Sequence, residues 1–253
     1  MTKSEAGRSY TNKAEIYARS RPNFDPDALA SFVEISELPA ETVVADIGAG
    51  TGRLTHHLLD HFQTVYAVEP SADMRQVAEA KLAERPGFHS IAATAEKIPL
   101  PANSVALIAA GQAIHWFEPE AARAEFQRIG TPKTKLLLTR IRSLDAELTT
   151  AIGPIFSADN RSISAVTPPG SEIEPRDFYF APGTHQIRQF SQIFPETWEV
   201  FLGGLRSASF APTPDQPQYV DFVRAAQQVF ERFNNDGILT WQIATEIEFG
   251  TLA

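Results

Sequence analysis

The chain has 253 residues, 43% of them apolar and 21% charged, and its 22 basic against 31 acidic side chains give a net charge of −9. That composition suits one α/β domain with embellishments, or two small domains, and excludes a chain disordered throughout. There is no cysteine, which excludes a disulfide framework, a thiolate zinc site and a cysteine nucleophile. The charge is uneven, −2 over residues 1–141 and −7 over 142–253, with no lysine beyond Lys135. A surface that neutralises phosphates needs clustered Lys and Arg, so neither nucleic acid nor an anionic membrane is an expected partner. The least charged stretch, Ile98 to Phe117, is broken by Pro99, Pro101, Asn103 and Gln112 and does not read as a membrane span. The first residues, with Lys3, Glu5 and Arg8, lack the apolar centre of a signal peptide. The expectation is a cytoplasmic protein, for which a monomer is plausible.

Residues 1–40 read as an N-terminal helical cap, with Asp25-Pro26 as N-cap and first residue of a helix carrying Leu29, Phe32 and Val33. Residues 41–141 alternate apolar runs with helical patterns. The runs are Val43–Ile47, Thr64–Val68, Phe88–Ala92, Val105–Ala110 and Lys135–Ile141. Between them, Leu54/Leu58/Leu59/Phe62, Met74/Val77/Ala78/Leu82 and Ala122/Phe126/Ile129 recur at helical spacing. Ser71 is placed to cap the second of these helices, and Pro119 to open the third. Strands and helices in this alternation predict right-handed crossovers and a doubly wound, mostly parallel sheet. Residues 142–253 hold 11 of the 17 phenylalanines and a proline-rich stretch from Pro168 to Pro182. Tyr219 to Phe233 reads as a strongly amphipathic helix. Gln186–Phe194 and Trp241–Phe249 alternate as strands do. These last two are expected to close the same sheet, with helices inserted between them as a lid.

The segment Val43-Val44-Ala45-Asp46-Ile47-Gly48-Ala49-Gly50-Thr51-Gly52 is a strand running into three alternate glycines and then a helix. Glycines there allow a sharp turn and let a ligand approach main-chain N–H groups. The next strand ends at Val68-Glu69, and an acid at that place suits the vicinal hydroxyls of a ribose; the alternative is a tight turn beside a solvated carboxylate. The dinucleotide pattern G-x-G-x-x-G is not met, because Arg53 or Thr55 stands where its third glycine belongs. An NAD-dependent oxidoreductase is therefore the weaker alternative. No G-x-S-x-G elbow and no G-x-x-x-x-G-K-[ST] phosphate loop occurs.

The first motif, an acid two before G-x-G-x-G, resembles that of the Rossmann-like, class I S-adenosylmethionine-dependent methyltransferases. The resemblance continues through Tyr66-Ala-Val-Glu69-Pro-Ser-Ala-Asp-Met74, Thr94-Ala95-Glu96-Lys-Ile-Pro99 and Ala110-Gly-Gln112-Ala-Ile-His115-Trp116-Phe117. The last of these, with Tyr17-Ala-Arg-Ser-Arg21-Pro22 and Leu205-Arg206-Ser207-Ala-Ser209, resembles a methyltransferase type 11 subgroup that includes trans-aconitate methyltransferase-like proteins. It implies S-adenosylmethionine as cofactor, with Asp46 and the backbone of Gly48, Ala49 and Gly50 facing its methionine part. Glu69 would hold the ribose hydroxyls, Met74 would pack on the adenine, and Glu96 with Ala95 N–H would read its amine. Gln112 and Ala113 would lie beside the methionine carboxyl or sulfonium. The implied reaction is an in-line methyl transfer to a small-molecule acceptor, with a carboxylate among the candidates; a binder without turnover fits the same motifs.

His115 is read as a general base, as an orienting donor, or as a hydrogen-bonded histidine beside Trp116. Tyr17 and Arg21, four apart, share a face if their segment is helical, and with His115 and Trp116 they are the candidate substrate pocket. The phenylalanines beyond 156 are read as ordinary core, or as the lining of an apolar acceptor pocket. The polar run Thr55-His56-His57 has no functional account at this level. His57 and His61 are four apart but lack the glutamate of a zinc motif, so no metal is expected.

Overall fold

The computed structural model of the chain describes residues 13–159, 176–208 and 210–253. The first twelve residues, Pro168, Pro169 and Pro175 of the proline-rich stretch, and Ser209 lie outside them. Helices α1 (Ala14–Ser20) and α2 (Pro26–Ser36) precede β1 (Val43–Ile47), α3 (Arg53–Leu58), β2 (Thr64–Val68), α4 (Ala72–Leu82) and β3 (Phe88–Ile91). Then follow β4 (Val105–Gly111), a 3₁₀ turn at Ile114–Trp116, α5 (Pro119–Ile129) and β5 (Gly130–Ser143). The remainder is α6 (Ala146–Ile152), β6 (Gln186–Glu196), α7 (Trp198–Arg206), α8 (Tyr219–Phe233), the short β7 (Asn234–Asn235) and β8 (Ile238–Thr251), with 3₁₀ turns at Gly153–Asp159 and Arg176–Tyr179.

The strands form one sheet in the order β3-β2-β1-β4-β5-β8-β6, with β7 paired to β8. The first five are parallel, and β8 runs antiparallel to both β5 and β6. This is the mixed, mostly parallel sheet of a Rossmann-like methyltransferase fold. The strand order reverses between β2-β1 and β1-β4, and in open α/β sheets the crevice at such a point receives ligands. No described helix is long and apolar enough to cross a membrane.

Local chemistry sets the helix starts. Asp25 accepts the Asp27 N–H at 2.9 Å with Pro26 behind it, Ser71 Oγ accepts the Met74 N–H at 3.5 Å, and Pro119 opens α5. One face of the sheet is packed by Ile47, Val68, Ile108, Leu136 and Phe126. The other is packed by Val44, Leu107, Leu137, Leu54 and Phe32. A separate apolar cluster joins α6, α7 and α8 through Leu148, Phe201, Leu205, Phe222 and Phe230.

Three elements differ from the sequence expectation. Helix α3 stops at Leu58 rather than reaching Phe62, because Asp60 N and His61 N bond three residues back, to His57 O and Leu58 O, and tighten the end. Leu59 and Phe62 are buried all the same. On β6, Ile187 and Ile193 face outward at 57% and 73% exposure, and Phe190 and Phe194 turn towards the protein. Alternation has period two and does not say which set faces in. Strand β8 is buried on both faces from Ile243 to Gly250, with Ile247 and Phe249 packed in the cluster of Phe32 on one of them. Its Glu246 pairs with Arg140 and Arg142, and its Glu248 with His185 at 3.1 Å.

Candidate functional site

The glycine loop is built by what precedes and follows it. Gly48, Gly50 and Gly52 have φ of 70°, 58° and 78°, the left-handed region that a side chain disfavours. A Cβ on Gly48 would stand 2.5 Å from the Ala113 Cβ, so glycine is also what lets the loop after β4 close over it. Gly48 N and Ala49 N both donate to Val68 O, at 2.8 and 3.1 Å, and Gly52 N donates to Ala49 O. Gly50 N donates to Glu69 Oε2 at 2.9 Å. The expected presentation of these N–H groups to a ligand is therefore not what the loop adopts; all four are engaged within the protein.

Glu69 ends β2 and holds the site together. Its Oε1 accepts the Ser71 N–H at 2.8 Å, so one carboxylate ties the glycine loop to the cap of α4. Burial raises its pKa, opposed by the N–H groups of Ser71 and Gly50 and by Arg75, whose Nη1 donates to Glu69 O and Pro70 O. Asp46, on β1, is fully buried. Its Oδ2 accepts the Thr55 hydroxyl at 2.6 Å, while Oδ1 has no partner. Burial pushes the Asp46 carboxyl up to about 7; the Thr55 hydroxyl opposes the rise and the Glu69 charge adds to it.

These groups open onto one pocket of about 820 Å³, counted out into its mouth. Asp46, Gly48, Ala49, Gly50, Glu69, Met74, Gln112 and Ala113 of the expected cofactor site, and Tyr17 and Trp116 of the expected substrate pocket, all line it. Met74 is buried at its α4 end, and Gln112 holds a left-handed backbone (φ 56°) with its N–H bonded to Thr139 O. Four expected residues stand outside the lining. Ala95 is buried in the core, and Glu96 Oε1 accepts the Glu118 N–H at 3.0 Å. His115 is exposed, its ring 5.0 Å from that of Trp116. Arg21 lies over the Tyr17 ring at 5.5 Å, and its Nε donates to Ser207 Oγ at 2.8 Å. Two segments singled out separately, around Tyr17 and around Ser207, thus meet across 186 residues. None of the phenylalanines beyond 156 lines the pocket, whereas Phe24 does.

Sequence reasoning missed Thr55 and Arg53. Thr55 is the first half of an account of the polar run in α3, since it is the hydrogen-bond partner of Asp46. The available signal was a hydroxyl one turn into the helix that follows a strand-end acid. Arg53 lines the pocket under Tyr17 and Phe24. Among the described residues no three His, Asp or Glu side chains gather as metal ligands do.

Residues 45–138 match the family described as "Methyltransferase domain". An uncharacterized methyltransferase of Mycobacterium tuberculosis (strain ATCC 25618 / H37Rv) is 37% identical over 129 residues, 51% of this chain and 50% of that protein. One of Schizosaccharomyces pombe is 29% identical over 133 residues, 52% of each. The chain spans about half the length of the curated relatives it matches. Among solved structures, a provisionally assigned type II methyltransferase of Anaeromyxobacter dehalogenans superposes with a TM-score of 0.63 at 20% identity, over 91% of this chain and 97% of that one. A phosphoethanolamine N-methyltransferase of Haemonchus contortus, solved with S-adenosylhomocysteine and phosphomonomethylethanolamine, gives 0.52 at 14%, over 97% and 56%. At these identities the likeness is one of fold. Residues 45–138 thus match a methyltransferase domain, and the sheet they build has the Rossmann-like fold of methyltransferases.

Proposed function

We propose that the protein binds S-adenosylmethionine in this pocket and transfers its methyl group to a small-molecule acceptor. The observation that carries the reading is the polarity of the glycine loop. A dinucleotide's pyrophosphate needs free N–H donors, and the N–H groups of Gly48, Ala49, Gly50 and Gly52 are all engaged. What the site offers instead is two carboxylates, Asp46 and Glu69, the former with an oxygen awaiting a donor. Those two acids suit a ligand bearing positive charge and vicinal hydroxyls. The matches of residues 45–138 to methyltransferases point to the same ligand.

In this reading Glu69 accepts from the ribose hydroxyls with the lone pairs that Gly50 and Ser71 leave. Asp46 Oδ1 accepts from the ammonium of the methionine part, Met74 packs on the adenine, and Gln112 and Ala113 flank the reacting end. When bound, the donor supplies a methyl group on a positively charged sulfur. The chain's part is to position an acceptor in line with it, and such orientation is worth about 7–11 kcal/mol. The lining holds no histidine, and a carboxylate acceptor, already a nucleophile, requires no base. Tyr17 and Trp116 wall the acceptor side; Ala95, Glu96 and His115 are given no contact.

Melting curves with S-adenosylhomocysteine, with NAD and with neither test the reading. A ligand at ~100 times its Kd adds about 2.7 kcal/mol, or roughly 5–11 °C at this size. The expected result is a rise with the adenosyl compound alone, lost in Glu69→Ala. A rise with NAD instead hands the site to an oxidoreductase, and binding without turnover on any carboxylate tried points to a binder.

A further inference from the structure

Arg53, the first residue of α3, has its guanidinium over two pocket rings, Cζ lying 5.9 Å from the Tyr17 centroid and 5.3 Å from that of Phe24. Its Nε and Nη2 are buried and have no hydrogen-bond partner. The charges it feels from Arg21 and Lys81 have its own sign. A buried carboxyl such as Asp46 can escape an unfavourable site by taking a proton, but a guanidinium keeps its charge. Unpartnered donors on a buried cation are among the costlier arrangements in a folded chain. Nε and Nη2 form one edge of the guanidinium, the edge that meets both oxygens of a carboxylate in parallel hydrogen bonds.

We propose that Arg53 is the carboxylate-binding residue of the pocket, pairing through Nε and Nη2 with a carboxylate that arrives on a ligand. The inference rests on the S-adenosylmethionine reading and deepens it. Two sources share the chemistry, the amino-acid end of the donor and a carboxylate acceptor.

Calorimetric titration separates them. The probes are S-adenosylhomocysteine and 5′-methylthioadenosine, which keeps the adenosine and thioether but has no amino-acid end. Each is titrated into the unmodified protein, Arg53→Gln and Arg53→Lys, and succinate and benzoate are titrated into the same proteins saturated with S-adenosylhomocysteine. If the carboxylate is the donor's, Arg53→Gln weakens S-adenosylhomocysteine by about 10- to 100-fold and leaves methylthioadenosine unchanged. If it is the acceptor's, S-adenosylhomocysteine binds as before and succinate or benzoate binding is lost. Arg53→Lys, which keeps the charge without the fork, falls between in either case. The unliganded Arg53→Gln protein is expected to melt close to the original, because the substitution relieves a buried charge with two unpartnered donors while giving up its contacts with the Tyr17 and Phe24 rings. Unchanged affinity for all four probes in Arg53→Gln, with or without a lower melting point, assigns Arg53 to packing and overturns the proposal. An unmodified protein that binds neither adenosine compound overturns the donor reading and this inference together.

Discussion

Around β1 and β2, polar groups are held by main chain, and the fit depends on register. Glu69 takes the N–H of Gly50 and of Ser71, and the loop N–H groups take Val68 O. In the helical region between β5 and β8 the fit depends on volume. There Phe201, Phe222 and Phe230 fill a cluster of their own. Trp241 Nε1 donates to Glu196 at 2.5 Å, Arg21 reaches Ser207, and α1 rests on α7 with Ser20 against Gly203. A register-built region tolerates little change in backbone and some in side-chain size. A volume-built one tolerates the reverse.

The contrast is broken most forcefully in the lid core. Phe201→Ala, at a side chain 2% exposed, is expected to cost about 3–5 kcal/mol. Calorimetry is expected to split into an early lid transition and a later one that still shifts with S-adenosylhomocysteine. One transition moving as a whole would show the two regions to be a single cooperative unit. Next is the pH dependence of the register-built half. The Asp46 carboxyl ionises near 3.8 when unfolded and near 7 when folded, so its contribution to stability is fully present below pH 4 and is lost as pH rises to about 7. Asp46→Asn removes that dependence. Its melting point is expected to gain on the original between pH 4 and 7, by up to on the order of 4 kcal/mol in stability, and to hold that lead above pH 7. A difference that stays flat with pH counts against the buried, protonatable Asp46.

Smaller effects probe the joints between the regions. On Gly203 a Cβ would stand 2.1 Å from Ser20 Oγ and 2.9 Å from Ser20 Cβ. Gly203→Ala is expected to cost about 1–3 kcal/mol by overpacking, with Ser20→Gly in the same chain recovering part of the loss; no recovery would place the strain elsewhere. Trp241→Phe removes the donor to Glu196, whose carboxyl burial pushes up to about 7. The hydrogen bond is stronger to the ionised acid, so the loss is expected to be about 1 kcal/mol greater at pH 8 than at pH 5. Equal losses at both values would detach Glu196 from the effect.

The region around β1 and β2 was legible because its signals are local. The runs Val43–Ile47 and Thr64–Val68 are strands to the residue, and the Asp25, Ser71 and Pro119 starts are in place. The glycine loop and Glu69 were legible as a site, but not the direction of the loop's N–H groups, which is fixed by Val68 O on another strand. Thr55 and Arg53 were hidden for a related reason. Each acts through a partner distant in sequence or orientation, Asp46 for one and the Tyr17 and Phe24 rings for the other. In the lid, the apolar pattern identified α8 as a helix, but a phenylalanine carries no mark of which cavity it fills. Those beyond 156 fill the lid and sheet cores, and Phe24 is the one that reached the pocket.

The bond from Glu69 to Gly50 has a consequence for how the protein matures. β1 and β2 pair with Val43 beside Thr64 and Ile47 beside Val68, and only in that alignment does Glu69 reach back to the loop. A slip of one residue sends every β2 side chain to the opposite face. Such a chain could be compact and helical, and it would still lack the Glu69–Gly50 bond that closes the glycine loop. On the proposed function, ligand binding is therefore a reading of strand alignment, and a titration doubles as an assay for correctly folded molecules in a mixed preparation.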